Sequence, residues 1–483
     1  MVTEILMLEA DYLVLGGGIA GVSCAEFLAF LAPDSSIVLV TATSMVKAVT
    51  DINQMTKLLT NFNVVERDMM EWQEEHAGVK VIQGNVSNLD ANKKTVYVEQ
   101  FGDIMYKKVC ICTGGRPNII IDSPYVLGIR DTESVVHFQD KLSQSSRILV
   151  VGNGGIATEM VYELDDVEIV WAVKDNSISS AFVDPGAGEF FIKEMRKEKD
   201  VKDKPVKRMK YTVNGEEGSK FLGSALGPDW HRGFNTKGSK RKKKTHVEYE
   251  VEVKRILDRE EFNHSDLVQE KIDSFEDEKD YNIYAELTNG KIIGCDFLVS
   301  ATGVVPGGDR FKDVVDVNDE GGIVIGEDMR TSNPDIYAAG DVCCAGWDHA
   351  FHWHQMRLWT QARQMGMQAA RSMVNHMEGE ESELDFCFEM FAHVTKFFGH
   401  KVVLLGLYNG QKLNNDYEVL LRVTEGVEYV KTVMKNGKMQ GALLIGETDL
   451  EETFENLILN QLDLTVYGED LLDPNIDIDD YFD

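Results

Sequence analysis

Two segments of this chain space small residues in a way that few backbone geometries allow. Gly16-x-Gly18-x-x-Gly21 follows an apolar run at residues 12–15, opens a helical stretch ending near Leu31, and is followed by a second apolar run at residues 37–40. Gly152-x-Gly154-x-x-Ala157 follows residues 147–151, opens a helix through Leu164, and leads to residues 168–173. Each reads as a strand–helix–strand unit with its small residues at the first turn. The first small residue permits the tight turn, the second lets a pyrophosphate approach the backbone, and the third brings helix and strand close. Free N–H groups and the positive end of the helix dipole then face the phosphates. The glycine pattern alone is weak, and the strand before and helix after it supply the specificity.

The first unit offers Gly16, Gly18, Ile19, Ala20 and Gly21 as a phosphate cradle, and the second offers Gly152, Gly154, Gly155 and Ile156. An acid is expected about 20 residues on, at the end of the second strand, to bind ribose hydroxyls. Thr41 stands there in the first unit, so the ribose clamp is weaker. In the second unit no acid occupies that place. Lys174 is either a partner for a 2′-phosphate or a solvated surface residue, so NAD and NADP both remain open.

At 483 residues the chain is long enough for about three domains. Its formal charge of −32 argues against direct nucleic-acid binding, which needs basic surfaces. The first residues lack the basic start and cleavage site of a secretory signal. Residues 12–32 are too interrupted by glycine to span a membrane. Seven cysteines are sparse and odd in number, which fits a reducing compartment without a disulfide framework. From about 193 to 280 charge becomes dense, and this reads as a surface insertion. Its basic run at 241–244 is a solvated loop or a nuclear or RNA signal. Another shift near Asp385 opens a β-rich segment followed by a helix from Asp449 to about Asn460 and an acidic tail.

Three further segments join the fingerprints. YKKVCICTGGRP (106–117) and CDFLVSATGVVP (295–306) each place Thr-Gly after an apolar strand, and TSNPDIYAAGD (331–341) ends in Gly-Asp before a helix. In this order the five motifs resemble the two-dinucleotide-binding-domain flavoproteins, the pyridine nucleotide-disulfide oxidoreductases. The resemblance implies an α/β fold with two nested Rossmann-like domains and an α+β C-terminal domain. Residues 1–115 and 296–384 would bind FAD, 116–295 would bind NAD(P)H, and 385–483 would form the third domain. It also implies roles. Thr113, Gly114, Gly340 and Asp341 would face the FAD pyrophosphate and ribityl chain, and the Val86 backbone the adenine. A helix beginning near His354 and Gln355 would aim its dipole at the flavin O2/N1 edge, where reduction develops negative charge. Glu159 would lie near the nicotinamide, with Gly303 on the NAD(P)H side. Lys47 is a candidate for the flavin N5 edge, or an ordinary polar loop residue.

The disulfide reductases of this family carry a redox cysteine pair on a helix after the ribose-binding strand. The matching stretch here, residues 41–60, contains no cysteine. A dithiol relay needs a thiolate to attack a disulfide sulfur, so the usual reductase chemistry has no place there. Cys110 and Cys112 alternate on a strand and fill the core. Cys343-Cys344, just past Asp341, is the remaining candidate pair. His349, His352 and His354, with Trp347 and Trp353, lack the company of a metal set and are expected to line the flavin entrance. Segments at 223–231, 356–366, 391–409, 443–461 and 470–483 resemble an animal branch of the same family. That resemblance implies a cytoplasmic and nuclear protein of the oxidative-stress response, linked to muscle fibre integrity. It also implies a partner, the tRNA ligase catalytic subunit, protected from oxidation with NAD(P)H.

Overall fold

The protein is seen in a computed structural model that describes residues 8–129, 132–196, 236–239, 242–275, 280–414 and 416–473. The first fingerprint links β1 (Leu8–Leu15) to helix α1 (Ile19–Leu31), and β2 (Ile37–Thr41) follows. A long antiparallel hairpin comes next, β3 (Met45–Gln54) and β4 (Thr60–Asp68), and then β5 (Val79–Gln83) and β6 (Gly102–Ile111). The strands pair in the order β5-β2-β1-β6, all parallel. Parallel strands covered on both faces need near-continuous apolar runs, which is why β2 is buried at every position. The first half of β6 pairs with Thr95–Val98, and its second half with Ile336–Ala338, which returns from the far side of the next domain. The first domain is therefore discontinuous.

The second fingerprint builds a second parallel sheet. Its strands are β7 (Val126–Leu127), β8 (Arg147–Val151), β9 (Glu168–Ala172), β10 (Lys244–Glu248) and β11 (Phe297–Ser300), ordered β7-β11-β8-β9-β10. Helix α2 (Gly155–Glu163) joins β8 to β9, and α3 (Pro185–Arg196) follows. Strands Val253–Asp258, Ile283–Leu287 and Ile292–Cys295 form an antiparallel layer beside this sheet.

The charge-dense stretch at about 193–280 was expected to be an insertion throughout, and its described part is not. It holds β10 and Val253–Asp258, both paired into sheets. Charge density misled because β10 is an edge strand whose side chains are mostly half-exposed. Residues 223–231, Arg241 and 474–483 lie outside the described residues.

Helix α4 (Trp359–Glu378) packs on α1 at Gly366, where an added Cβ would stand 2.3 Å from the Ala20 carbonyl oxygen. The C-terminal unit is an antiparallel sheet of β12 (Ala392–Phe397), β13 (His400–Gly406), β14 (Glu418–Thr424), β15 (Glu428–Lys435) and β16 (Lys438–Ile445), with helix α5 (Glu451–Asn460). One face of this sheet joins the core of the second domain through Phe182, Phe191, Phe397 and Phe398. Lys431 on β15 reaches Asp184, just before α3, at 2.6 Å, and Tyr429 donates to the same carboxylate at 2.9 Å. The other face covers Leu58 and Leu59 at the tip of the β3–β4 hairpin. There the buried Glu455 of α5 accepts from the Thr56 hydroxyl and, at 3.2 Å, from the Leu58 N–H.

Candidate functional site

Gly16 sits at φ +123°, and a Cβ there would lie 2.3 Å from the Cys112 carbonyl oxygen. At Gly21 a Cβ would lie 1.9 Å from the Gly16 carbonyl oxygen. Between these closed positions, Gly18 has no heavy atom within 4 Å of an added Cβ. No side chain caps α1 at Gly18. The turn is thus clamped on both sides of an open cradle of backbone N–H groups, with Ile19 and Ala20 as the first helical residues. The second turn repeats the arrangement. At Gly152 (φ +131°) an added Cβ would lie 2.1 Å from the Ala301 carbonyl oxygen, Gly154 is open, α2 starts at Gly155 and Ile156 without a side-chain cap, and Ala157 is buried at the third position.

Thr113 follows β6 and holds a buried hydroxyl oxygen without a partner, beside Gly114 at φ +66° with open space above it. A buried unpaired hydroxyl is unfavourable unless something fills the site. Gly340 (φ +81°) rests on Ala20, a Cβ there standing 2.8 Å from the Ala20 methyl, and delivers the half-buried Asp341 beside the same turn. Gly303, at φ +95°, has open space at the matching place in the second domain.

The helix expected to begin near His354 and Gln355 begins at Trp359, after Leu358, with no side-chain cap. Residues 352–358 are an irregular segment leading into it. Gln355 ties that segment down, accepting from the Ala345 N–H at 2.9 Å and donating to the Cys343 carbonyl at 3.1 Å, so its amide is engaged within the protein. Gln361 donates to the His354 carbonyl and accepts from the Met356 N–H. The His354 ring stacks on Phe391 at 4.2 Å between centroids, and both its nitrogens are buried and unpartnered. Burial, then the nearby Lys412 ammonium, pushes its pKa down to about 4.

Residues 41–60 contain the first strand of a hairpin where the family resemblance implied a helix. The Lys47 N–H donates to the Gly17 carbonyl at 2.8 Å, which sets β3 against the first turn, and its ammonium lies 3.9 Å from Glu66 across the hairpin. Thr41 is buried, donates to the Met45 carbonyl at 3.3 Å and lies under Gly17, where an added Cβ would be 2.6 Å from its oxygen. The Val86 carbonyl accepts from Arg310. Every cysteine is a free thiol. Burial holds Cys110 and Cys343 well above the ordinary thiol range, so neither is a ready thiolate. Cys343 is buried and Cys344 half-buried, as adjacent positions of one strand pointing to opposite faces.

In the second domain Lys174 is exposed and pairs with Glu252 at 2.7 Å, away from the role of a free 2′-phosphate partner. An acid does stand near this turn, one residue later than the pattern sought. Asp175 accepts from the side chain of Asn153, the variable residue of the fingerprint itself, at 2.8 Å. Hydrogen bonds from Ser180 and Asn153 hold its carboxyl below the usual range. Glu159 lies half-buried on α2. Sequence reasoning also missed Phe397, which comes from the C-terminal sheet and stands 3.8 Å from where a Cβ on Gly155 would be.

The pyridine nucleotide-disulphide oxidoreductase profile matches residues 10–224 and 259–366, which include both turns, Thr113 and Asp341. The chain belongs to this family. The cofactors of the family are FAD and, as co-substrate, NAD(P)H, and two open glycine cradles with an orphaned threonine hydroxyl beside the first fit that pair. The pyridine nucleotide-disulfide oxidoreductase domain-containing protein 1 of Homo sapiens is 49% identical over 491 residues, covering 98% of both chains. Among solved structures, the reduced Bacillus anthracis CoADR-RHD superposes with a TM-score of 0.67 at 18% identity, covering 97% of this chain and 76% of that one. The water-forming NADH oxidase of Lactobacillus brevis bound to NADH gives 0.62 at 15%, covering 94% and 91%. At these identities the superpositions establish the two-dinucleotide-domain flavoprotein fold.

Proposed function

We propose that this protein is a slow FAD-dependent NAD(P)H oxidoreductase that passes electrons onward without a protein dithiol. The observation that carries this is the β3–β4 hairpin: it brings Lys47, and no thiol, to the first turn, where relatives with a relay hold theirs. Bound FAD supplies hydride acceptance and electron storage. The chain's own residues bind and orient. The first turn, Thr113 and Asp341 hold the flavin nucleotide, the open start of α4 faces the edge where charge develops, and the second turn with Asn153 and Asp175 holds the pyridine nucleotide. Glu159 and Lys47 are the candidates nearest the chemistry. We further propose, on the resemblance carried by the segments at 223–231, 356–366, 391–409, 443–461 and 470–483, a place in the oxidative-stress response, in cytoplasm and nucleus, with the tRNA ligase catalytic subunit as the protein protected. A second reading, a redox-gated binding protein, is favoured by the absence of any Lys or Arg beyond Thr448. In that case the reduced state controls docking of a basic partner through its differential affinity. Mixing the holoprotein with NADH in air separates the two. Steady NADH loss with recovering flavin absorbance supports the enzyme, and long-lived bleaching with partner capture supports the switch. Loss of turnover on changing both Cys343 and Cys344 to Ser would refute the thiol-free route.

A further inference from the structure

The C-terminal sheet brings a histidine to the first turn of α4. His393 lies on β12, and its Nδ1 is 3.2 Å from the Thr360 hydroxyl, the second residue of that helix. Residues two apart on a strand share a face, so the face of β12 that presents His393 to α4 presents Phe397 to Gly155, the start of α2. Phe182 of the second domain lies against both rings. His393 therefore stands between the starts of α4 and α2, which on the proposed function would face the flavin and the pyridine nucleotide.

We propose, resting on the flavin reading above, that His393 takes up a proton when the flavin is reduced and returns it on reoxidation, acting through Thr360. NAD(P)H delivers two electrons and one proton as hydride. With FAD bound as the family resemblance implies, the negative charge left at its N1/O2 edge would face the start of α4, and His393 would balance it with a second proton drawn from solvent. With the imidazole neutral, the Thr360 hydroxyl donates to Nδ1. Once Nδ1 is protonated it donates to the Thr360 oxygen instead, and the hydroxyl hydrogen is released to point at the new charge. His393 is a positioning residue in this scheme, since Thr360, in the first turn of α4, is the group that would meet the cofactor.

The surroundings suit the role. His393 is buried among Thr360 of α4, Phe182 of the second domain, Phe391 of its own segment and its cross-strand partner Leu404. Burial alone holds it neutral, with a pKa of about 4, and no charged group of the described residues contributes. A negative charge arriving nearby is then unopposed in raising its proton affinity. The other buried imidazole, His354 beyond Phe391, has the Lys412 ammonium beside it, which disfavours a second positive charge.

The test is the pH dependence of the flavin midpoint potential, measured by anaerobic dithionite titration of the holoprotein against a reference dye. The wild type is expected to take up two protons per two electrons between about pH 6 and 8. His393→Gln keeps a hydrogen-bonding group but cannot titrate, and should take up one. The slopes then differ by a factor of ten in the equilibrium per pH unit, about 30 mV for a two-electron couple. Thr360→Val, which leaves His393 in place and removes the relay, should give the same shallower slope and carries the test if His393→Gln fails to fold. A one-proton slope in the wild type, or wild-type slopes in the variants, overturns the proposal. Bleaching by dithionite but not by NAD(P)H overturns the proposed function instead, and the slope remains readable.

Discussion

Gly18→Ala and Gly154→Ala should each weaken one nucleotide's binding while leaving the fold intact. Both glycines have ordinary extended backbone, φ −78° and ψ 179° at Gly18, and φ −94° and ψ −173° at Gly154. Alanine adopts these angles without strain, and no heavy atom lies within 4 Å of the added carbon. The apoproteins should therefore be as stable as wild type or more so, by about 0.4–1 kcal/mol, because alanine restricts the unfolded chain. The methyl nevertheless fills the space that a pyrophosphate must enter to reach the N–H groups. Losing one hydrogen bond to a charged group costs about 1.5–3 kcal/mol, which is about ten- to hundredfold in affinity. Gly18→Ala should lose FAD by that factor, with a correspondingly smaller rise in melting temperature on adding FAD. Gly154→Ala should stay yellow but need far more NADH for flavin reduction. Gly21→Ala is the contrast, since its Cβ would stand 1.9 Å from the Gly16 carbonyl oxygen and must distort the turn. Flavin fluorescence titration, apoprotein unfolding and anaerobic stopped-flow reduction read the three quantities. A Gly18→Ala protein that unfolds, or that holds FAD as wild type does, would refute the open-cradle reading. Loss of flavin in Gly154→Ala would reverse the assignment of the two turns.

Acid should destabilise the protein through its two buried imidazoles. His354 and His393 have folded pKa values of about 4 against an ordinary 6.5, so the unfolded state binds protons more readily. Their contribution is full above pH 6.5 and is lost as pH falls towards 4, about 2 kcal/mol each by about pH 5. His393→Phe should halve that loss in oxidised protein, and an unchanged pH profile of denaturant unfolding would contradict the burial account. NADH should reduce the flavin faster than NADPH, by about tenfold, because a 2′-phosphate would meet the Asp175 carboxylate and find Lys174 paired. Asp175→Asn should narrow the gap, and an NADPH preference in wild type would show that Lys174 leaves Glu252 to bind the phosphate.

Physical reasons separate what could be read in advance from what could not. The two turns were readable because their constraint is local. Gly16 and Gly152 sit at positive φ, and a Cβ added at either would stand within 2.3 Å of a carbonyl oxygen. The hairpin at β3 and β4 was not, because its identity depends on pairing at a distance. Val46 and Ala48 are buried only once Arg67 and Val65 lie opposite, and the hairpin tip is held by Glu455, nearly 400 residues downstream. The start of α4 was placed near His354 on resemblance, whereas Gln355 and Gln361 hold residues 352–358 out of the helix by bonding their backbone neighbours. No periodicity reports side-chain bonds of that kind.

The same division explains why the two glycine turns could be read from short segments while the proposed proton chemistry could not. Phosphate binding uses backbone N–H groups whose arrangement one short segment determines. On the proposal above, charge compensation at the flavin edge uses side chains from elements distant in the chain: Thr360 on α4 and His393 on β12, with the Phe182 and Phe391 rings beside the imidazole. A histidine on an alternating strand reads as a core residue until the helix it meets is known. On that proposal, its burial next to the first turn of α4 makes the C-terminal sheet part of the flavin site as well as a cover over the second domain. Substitutions along β12 that spare both glycine turns should then shift the flavin's potential without weakening its binding.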